Sequence, residues 1–329
     1  MFGTGFGEAS MEKHLVVVGG GHAHLYLLSR LGDYVRRGHR VAVVSPAPCH
    51  LYSGMGPGLL GGFYRPAGAA FRLKKLTETG GARFIRDRVV SLDPARRSLF
   101  LGSGQKLNYD VVSFNVGSRT AGKLTNSAPK RAFPVKPITN LLAAREHMIR
   151  RLKGGDSLRV CVVGGGPAGV EVAANCLRLG VGGPGDVSVE LLSAGALLPS
   201  WPERAGKLAA ETLRRRGGAV RLGHRVTHME GGRCRLGAGL TVKWDFAFVA
   251  TGIRPPDVFS RSGLSTDSQG ALLVDRHLRS VEYPEIHGGG DCIAIEGKHI
   301  AKVGVHAVRE GPVLYRNVMA ALEDGEPGT

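Results

Sequence analysis

The chain has 329 residues, a length that suits two domains of ordinary size. It is 43% hydrophobic, enough to bury a sizeable core, and 44 Lys+Arg against 27 Asp+Glu leave a formal net charge of +17. Five cysteines with no CxxC spacing exclude a zinc ribbon, a thioredoxin-type motif and a disulfide scaffold, and no apolar run approaches the roughly 20 residues of a membrane-spanning helix.

The first ten residues lack the charged-then-apolar order of a signal peptide and read as a loose extension, with Met11 as an alternative start. His14 to Val18 is an apolar, valine-rich run, as expected of a buried parallel strand. Gly19-Gly20-Gly21 follows as a turn, His22 to Arg30 as a helix, and Val41 to Val44 as the next buried strand. The same order returns further on. Leu158 to Val163 reads as a strand, Gly164 to Gly166 as a turn, Pro167 to Leu179 as a helix and Val187 to Leu192 as a strand. Ala205 to Arg216 reads as a helix whose basic end, Arg214-Arg215-Arg216, suits the helix dipole. The other basic clusters are short: Arg36-Arg37, Lys74-Lys75 and Arg150-Arg151. They fit solvated helix faces, with an anionic membrane surface as the alternative. No zinc finger, RNP-type aromatic motif or basic-plus-heptad pattern points to nucleic acid.

The chain is therefore an internal repeat. Val16–Gly21 (VVVGGG) recurs 145 residues on as Cys161–Gly166 (CVVGGG), and Phe114–Arg119 (FNVGSR) is echoed by Val249–Arg254 (VATGIR). Each copy is a strand, a glycine turn, a helix and a strand, the βαβ unit of a parallel sheet with right-handed crossovers. Gly164-x-Gly166-x-x-Gly169 carries the full dinucleotide fingerprint: a tight turn, room for a pyrophosphate, and close packing of helix on strand. The N–H groups at the helix start then face the anion. Pro167 suits the first helical position, where a missing N–H costs nothing.

The first copy departs from the fingerprint. Gly19-x-Gly21 is followed by His22-Ala23-His24, so histidine holds the third position. Either His24 packs between a helix and strand set slightly further apart, or His22 or His24 touches the ligand. The acid that ordinarily bonds the ribose is missing from both copies, since the second strands end in Ser45 and Ser193. The choice between NADH and NADPH stays open.

Two such units in one chain resemble the pyridine nucleotide-disulfide oxidoreductase superfamily of two-domain flavoproteins. The motifs GGGHAH, SGMGPG, Pro134–Pro137 (PVKP), GGGPAGVE, ATG, GGD and Lys302–Gly311 (KVGVHAVREG) are similar to its NADH dehydrogenase-like branch. Some members of that branch are fused to selenide, water dikinase. Type II NADH dehydrogenases and sulfide:quinone reductases are wider relatives. The likeness runs from about Glu12 to Ala321.

The resemblance implies an α/β fold of two Rossmann-like dinucleotide-binding domains, three-layered, the second inserted in the first. The expected boundaries are 1–125 and 263–329 for an FAD domain and 126–262 for an NAD(P)H domain. Flavin-site residues implied by it are Gly19, Gly21, His22, His24, Ser45, Gly54, Val89, Gly117, Asp291 (on the ribityl chain) and Val303, whose helix start would face the flavin O2 edge. Gly164, Gly166, Gly169, Ser193 and Gly252 would hold the nicotinamide dinucleotide. Glu171 would lie near the nicotinamide and Lys302 near the isoalloxazine as catalytic groups. Read from the residues alone, Asp291 can be a turn residue or helix N-cap, Glu171 a first-turn helix acid, and Lys302 a surface lysine.

Disulfide reductases of this superfamily need a close cysteine pair, which the spacing does not supply. Cys161 and Cys176 read as buried structural cysteines, Cys234 as a surface position, and Cys49 and Cys292 as nearer the flavin motifs but without a redox role. Leu51 to Phe63 either lines an apolar path for an acceptor or packs in a core. Relatives continue into a further C-terminal segment that helps form a membrane or dimer surface. Here the last residues, Glu323 to Gly328, read as a polar, disordered tail, which leaves membrane contact and oligomeric state open. The expectation is an FAD-dependent NAD(P)H dehydrogenase with no metal. It would pass electrons to a small-molecule, quinone-like acceptor, in the cytoplasm or on the inner face of the membrane. A flavin reductase of selenium or sulfur metabolism and a non-catalytic nucleotide-binding scaffold are the alternatives.

Overall fold

A computed structural model describes residues 11–122, 131–182 and 185–328. The loose N-terminal extension expected for the first ten residues lies outside them. The described chain forms two compact units: residues up to 50, 71–118 and 254 onward make the first, and 51–70 with 119–253 make the second.

The first unit is built on a five-stranded, all-parallel sheet. Its order is Ile286–Gly288, Val111–Phe114, His14–Val18, Arg40–Val44, Arg83–Ile85. His14–Val18 lies centrally, paired on one side through Leu15↔Val111 and on the other through Leu15↔Val41, so Leu15, Val16 and Val17 are fully buried. A continuous apolar run is what a strand covered on both faces requires. The helices His22–Leu28 and Gly304–Leu322 pack closely, because a Cβ at Gly311 would lie only 2.9 Å from the Tyr26 Cβ. An antiparallel meander (Val89–Asp93, Ser98–Leu101, Lys106–Asn108) adds to this unit.

The second unit repeats the plan. Its parallel sheet runs Ala132–Pro134, Phe246–Val249, Leu158–Val163, Val187–Leu192, Ala219–Arg221. The meander is Val226–Glu230, Arg233–Leu236, Thr241–Lys243. The two sheets differ in the edge strand beside Val111–Phe114 and its counterpart Phe246–Val249: Ile286–Gly288 comes last in chain order in the first unit, and Ala132–Pro134 comes first in the second. Residues of the central strands alternate between two cores. Leu158, Val160, Val162, Phe246 and Phe248 face the helices, while Cys161, Val163, Ala247 and Val249 face the meander. That period of two is the pleat of a strand buried on both sides, and it makes each unit three layers thick.

Several expectations change in detail. The helix foreseen over 22–30 ends at Leu28, and a separate helix covers Leu31–Arg36. The Ser29 hydroxyl donates to the Tyr26 carbonyl, a bond that competes with continued helix. The basic helix of the second unit covers Glu203–Arg215, entered through Pro202. Leu59 and Leu60, on the short helix Gly56–Gly61, are fully buried within the second unit, and Phe63 is exposed under the Arg178 guanidinium, 3.8 Å from the ring centre. The C-terminal run is ordered rather than a loose tail: Asp324 pairs with Lys13 at 2.7 Å, Glu323 with Arg37 at 2.5 Å, and the Gly328 N–H donates to Asn317 at 2.8 Å. The polar composition that suggested disorder supplies the partners that hold it. Among the described residues no helix is long and apolar enough to cross a membrane.

Candidate functional site: two glycine corners

In the second unit the corner follows the Leu158–Val163 strand. Gly164 has φ +128 and its N–H donates to the Leu192 carbonyl at 2.9 Å. A Cβ at Gly164 would sit 2.2 Å from the Ala250 carbonyl oxygen, and one at Gly169 only 1.9 Å from the Gly164 oxygen. Only glycine fits either place. At Gly166, the N-cap of the Pro167–Leu179 helix, nothing lies within 4 Å of the missing Cβ, and no side chain caps the helix. Gly252, at φ +103, also faces open space. The corner thus combines two glycines that pack with two that leave a bare approach to uncapped N–H groups. That arrangement fits a diphosphate at a helix N-terminus. Ser193 is buried; its N–H donates to the Arg221 carbonyl at 2.9 Å, and its hydroxyl accepts from the Gly195 N–H at 3.4 Å. Glu171 is exposed and, as the fifth residue of the Pro167–Leu179 helix, lies beyond its first turn rather than on it as the sequence suggested; partial burial of its carboxyl pushes its pKa up.

The first unit reproduces the turn with different chemistry. Gly19, at φ +86, donates its N–H to the Val44 carbonyl at 2.8 Å, and its Cβ would lie 2.4 Å from the Asn115 carbonyl oxygen. These contacts match Leu192 and Ala250 of the second unit. Gly21, N-cap of the His22–Leu28 helix, again lacks a side-chain cap, but here the Asn115 Oδ1 occupies the space its Cβ would take. The Asn115 amide donates onward to the Gly289 carbonyl at 2.5 Å. Gly117 is left-handed at φ +67 with open space beside it.

His24, at the position of Gly169, is fully buried. Its Nδ1 lies 2.6 Å from the Gly19 carbonyl oxygen and its Nε2 2.8 Å from the Ser113 hydroxyl. A carbonyl can only accept, so Nδ1 carries the proton and Nε2 accepts from Ser113. Where the second unit presses backbone against backbone, the first inserts an imidazole. Burial holds that ring neutral, with a pKa lowered to about 4. His22 is buried against the edge of the His50 ring, 5.5 Å between centroids. The Ser45 hydroxyl donates to Ala47 at 3.0 Å. Val89 opens the meander, half-buried. Gly54, in the short turn Ser53–Met55 under the Tyr52 ring, clusters with the second unit.

Near the end of the chain the first unit gathers an acidic group. Ser118 donates to Asp291 at 2.7 Å. Glu310 accepts the Gly290 N–H at 2.5 Å; burial pushes its carboxyl up, with Lys302 and His306 opposing. The Lys302 ammonium donates to the Ile293 carbonyl. Val303 is the exposed, uncapped N-cap of the Gly304–Leu322 helix. Asp291, Val303 and Lys302 thus lie on one stretch of the first unit with Gly289 and Gly290. Asn115, Ser118 and Glu310 were not singled out in the sequence. Asn115 and Ser118 flank the strand-end glycine Gly117, and Glu310 sits inside the KVGVHAVREG run.

The cysteines take structural places, with one change from expectation. Cys234 is fully buried, because it faces the parallel sheet, and its sulfur lies 3.6 Å from that of Cys161. Cys176 is buried among the helix-side residues. Cys292 is buried with its thiol toward the Phe114 and Gly289 carbonyls, and burial pushes its pKa up to about 12, so it stays protonated at neutral pH. Cys49 is exposed. No group of three or more His, Cys, Asp and Glu side chains among the described residues could hold a metal.

Comparison with known proteins follows the same lines. The family model described as pyridine nucleotide-disulphide oxidoreductase matches residues 13–311. Ferroptosis suppressor protein 1 of Taeniopygia guttata is 28% identical over 260 residues, 74% of this chain and 65% of that protein. A type II NADH:quinone oxidoreductase of Haemophilus influenzae is 26% identical over 193 residues, 54% of this chain and 44% of the other. The structure of NDH2 from Plasmodium falciparum in complex with NADH has the same fold, with a TM-score of 0.75 at 19% identity over 87% of this chain and 65% of that one. The chain thus spans less than two thirds of the length of each of these three. With the family model covering nearly the whole chain and both corners in place, the protein belongs to the pyridine nucleotide-disulphide oxidoreductase family, whose members are oxidoreductases built on FAD and a nicotinamide dinucleotide.

Proposed function

We propose that the protein is an FAD-dependent NAD(P)H dehydrogenase that delivers electrons to a quinone-like acceptor. The observation that supports it most is the duplicated corner: each unit has its own strand-end glycine turn opening on an uncapped helix. The names of the relatives, NADH:quinone oxidoreductase among them, favour the acceptor class. FAD, when bound, supplies the redox chemistry, accepting hydride from the nicotinamide and releasing two electrons to the acceptor.

In this reading Gly19 and Gly21 turn the chain so that first-turn N–H groups hold the FAD diphosphate, while His24 and Asn115 brace the corner from inside. Asp291 accepts a hydroxyl of the ribityl chain, oriented by Ser118. Glu310 fixes the Gly289-Gly290 backbone beneath it. The uncapped N–H groups that open the Gly304–Leu322 helix, beside Val303, would favour negative charge on a reduced flavin bound there. Lys302 adds a cation on the same stretch. His22, Ser45, Val89 and Gly117 line the cofactor path. Gly164, Gly166, Gly169 and Gly252 hold the nicotinamide dinucleotide, and Ser193 stands where a ribose acid would. Glu171 orients the nicotinamide end. The segments expected from the sequence, 1–125 and 263–329 for FAD around 126–262 for NAD(P)H, shift to the compact units: residues up to 50, 71–118 and 254 onward would hold FAD, and 51–70 with 119–253 the nicotinamide dinucleotide.

Asp291→Ala tests the cofactor part. The variant is expected to lose most of its FAD on purification while keeping its far-ultraviolet dichroism. Flavin content equal to the parent's would remove Asp291 from the site. An acceptor panel under anaerobic conditions tests the remainder. A soluble ubiquinone analogue should reoxidise the reduced protein quickly, and selenium or sulfur compounds slowly. The reverse order would favour the flavin-reductase reading.

A further inference from the structure

The second unit carries a cleft of about 450 Å³ lined by Arg131, His147, Arg150, Arg151, Asp156 and Phe246. Its place in the fold separates it from the glycine corner. Arg131 directly precedes the Ala132–Pro134 strand, Phe246 opens the Phe246–Val249 strand, and Asp156 lies just ahead of the Leu158–Val163 strand. All three strands run parallel, so the cleft sits at their amino ends. The corner Gly164–Gly166 lies at the carboxyl end of the same Leu158–Val163 strand, whose 6 residues span about 20 Å. The dinucleotide at that corner does not account for the cleft.

Its chemistry is one-sided. Asp156, the only carboxylate in the lining, accepts from the Arg151 Nε at 2.7 Å. Neither Arg131 nor Arg150 is in an ion pair among the described residues; Arg150 Nε donates only to the Glu146 backbone carbonyl, at 3.3 Å. Arg151 Nη1 is buried and has no hydrogen-bond acceptor, a costly condition for a charged donor. Phe246, fully buried and stacked with Phe133 at 6.4 Å between ring centres, gives the cleft a dry floor. A dry floor strengthens charge interactions above it. Three guanidinium groups around one cleft, two of them without counter-ions among the described residues, match the oxygens of a phosphoryl group.

We infer that this cleft is a second anion site, one that takes a small phosphate-bearing ligand. Arg131 and Arg150 grip the ligand from the rim, and Arg151, held in orientation by Asp156, adds its charge beside them. The source of the phosphate can be a free small molecule or a lipid headgroup, and the test separates the two.

Titration calorimetry of inorganic pyrophosphate into the FAD-loaded protein, at low salt and in saturating NAD⁺, reads the site directly, because NAD⁺ fills the glycine corner. One saturable site is expected. Arg131→Gln with Arg150→Gln should weaken it at least tenfold while flavin content and the rate of flavin reduction by NADH stay at parent values. Arg214→Gln with Arg215→Gln, which removes equal charge from an exposed helix elsewhere in the unit, should leave it intact. Cosedimentation with vesicles containing phosphatidic acid forms the second arm. Pyrophosphate binding together with Arg131- and Arg150-dependent vesicle binding would identify a headgroup as a source, and pyrophosphate binding alone a free ligand; both support the site. Absence of saturable binding, or equal loss in both double variants, would overturn it.

Discussion

At the scale of single residues, two glycines of the second unit's corner make opposite demands, and the difference can be measured. A methyl at Gly169 would collide with the Gly164 carbonyl oxygen at 1.9 Å, whereas one at Gly166 meets nothing within 4 Å. Gly169→Ala is therefore expected to destabilise the second unit by about 1–3 kcal/mol through overpacking. Gly166→Ala should leave the Tm unchanged yet weaken NADH binding, since its methyl points where a diphosphate would come. Thermal melts and NADH titration of the pair check this; equal effects on stability would contradict the corner geometry. His24 and His287 make a second case. Both are buried in the first unit with pKa values lowered to about 4 from 6.5. In each the folded protein binds a proton less readily than the unfolded chain. Their contribution is thus complete above pH 6.5 and declines as pH falls toward 4. Between pH 6.5 and 5 each histidine costs about 2 kcal/mol. Denaturant melts should show stability falling over that range, and His24→Gln, which keeps a donor toward Gly19, should flatten the dependence. A pH-independent midpoint in the parent would refute it. Gly164, Gly166 and Gly169 could be read directly in the sequence because glycine chemistry is local. Asn115 and Glu310 could not, because their partners, Gly289 and Gly290, lie 174 and 20 residues away.

At the scale of elements, the strands were legible and their coverings were not. His14–Val18, Leu158–Val163 and Val187–Leu192 begin and end where the apolar runs do. The helix Pro167–Leu179 does the same between its proline and Gly180. Cys161 reads as a buried strand residue, but nothing local says what lies on the side it faces, opposite Val160 and Val162. The meander does, and it brings Cys234 to within 3.6 Å. Shared burial and the mutual hydrogen bond push the Cys161 thiol well above its ordinary pKa. Both sulfurs should therefore resist maleimide in the native protein, while exposed Cys49 labels at once. Mass spectrometry of peptides after a short native pulse checks this, and rapid labelling of Cys161 or Cys234 would mean that the two sheets of the second unit open readily. The C-terminal run shows the complementary limit. Its composition reads as a solvated tail, yet Lys13, Arg37 and Asn317 hold it, and those partners are remote or on another helix turn.

At the scale of the whole molecule, the repeat carries the account. Two copies of one βαβ plan were visible as recurring glycine runs, and in both sheets the strand that leads into the glycine turn lies at the centre, third of five. Which segment supplies the outer strand of each sheet was not visible, because edge strands are short and weakly patterned. Duplication also explains the division of chemistry. One corner keeps all three fingerprint glycines, and the other has traded the third for a buried histidine, so two related pockets need not hold the same dinucleotide. The net charge of +17 acts at this scale too. It draws anionic ligands toward both corners and the basic cleft, and binding at each should weaken as salt rises. The most direct test of the central claim is anaerobic stopped-flow mixing of the FAD-reconstituted protein with NADH while the flavin band is followed. The account predicts one flavin bound per chain and its bleaching by NADH, with Gly166→Ala slowing the bleaching at low NADH and Asp291→Ala removing the band. A protein that takes up no flavin, or one whose flavin keeps its colour in excess NADH and NADPH, would contradict it.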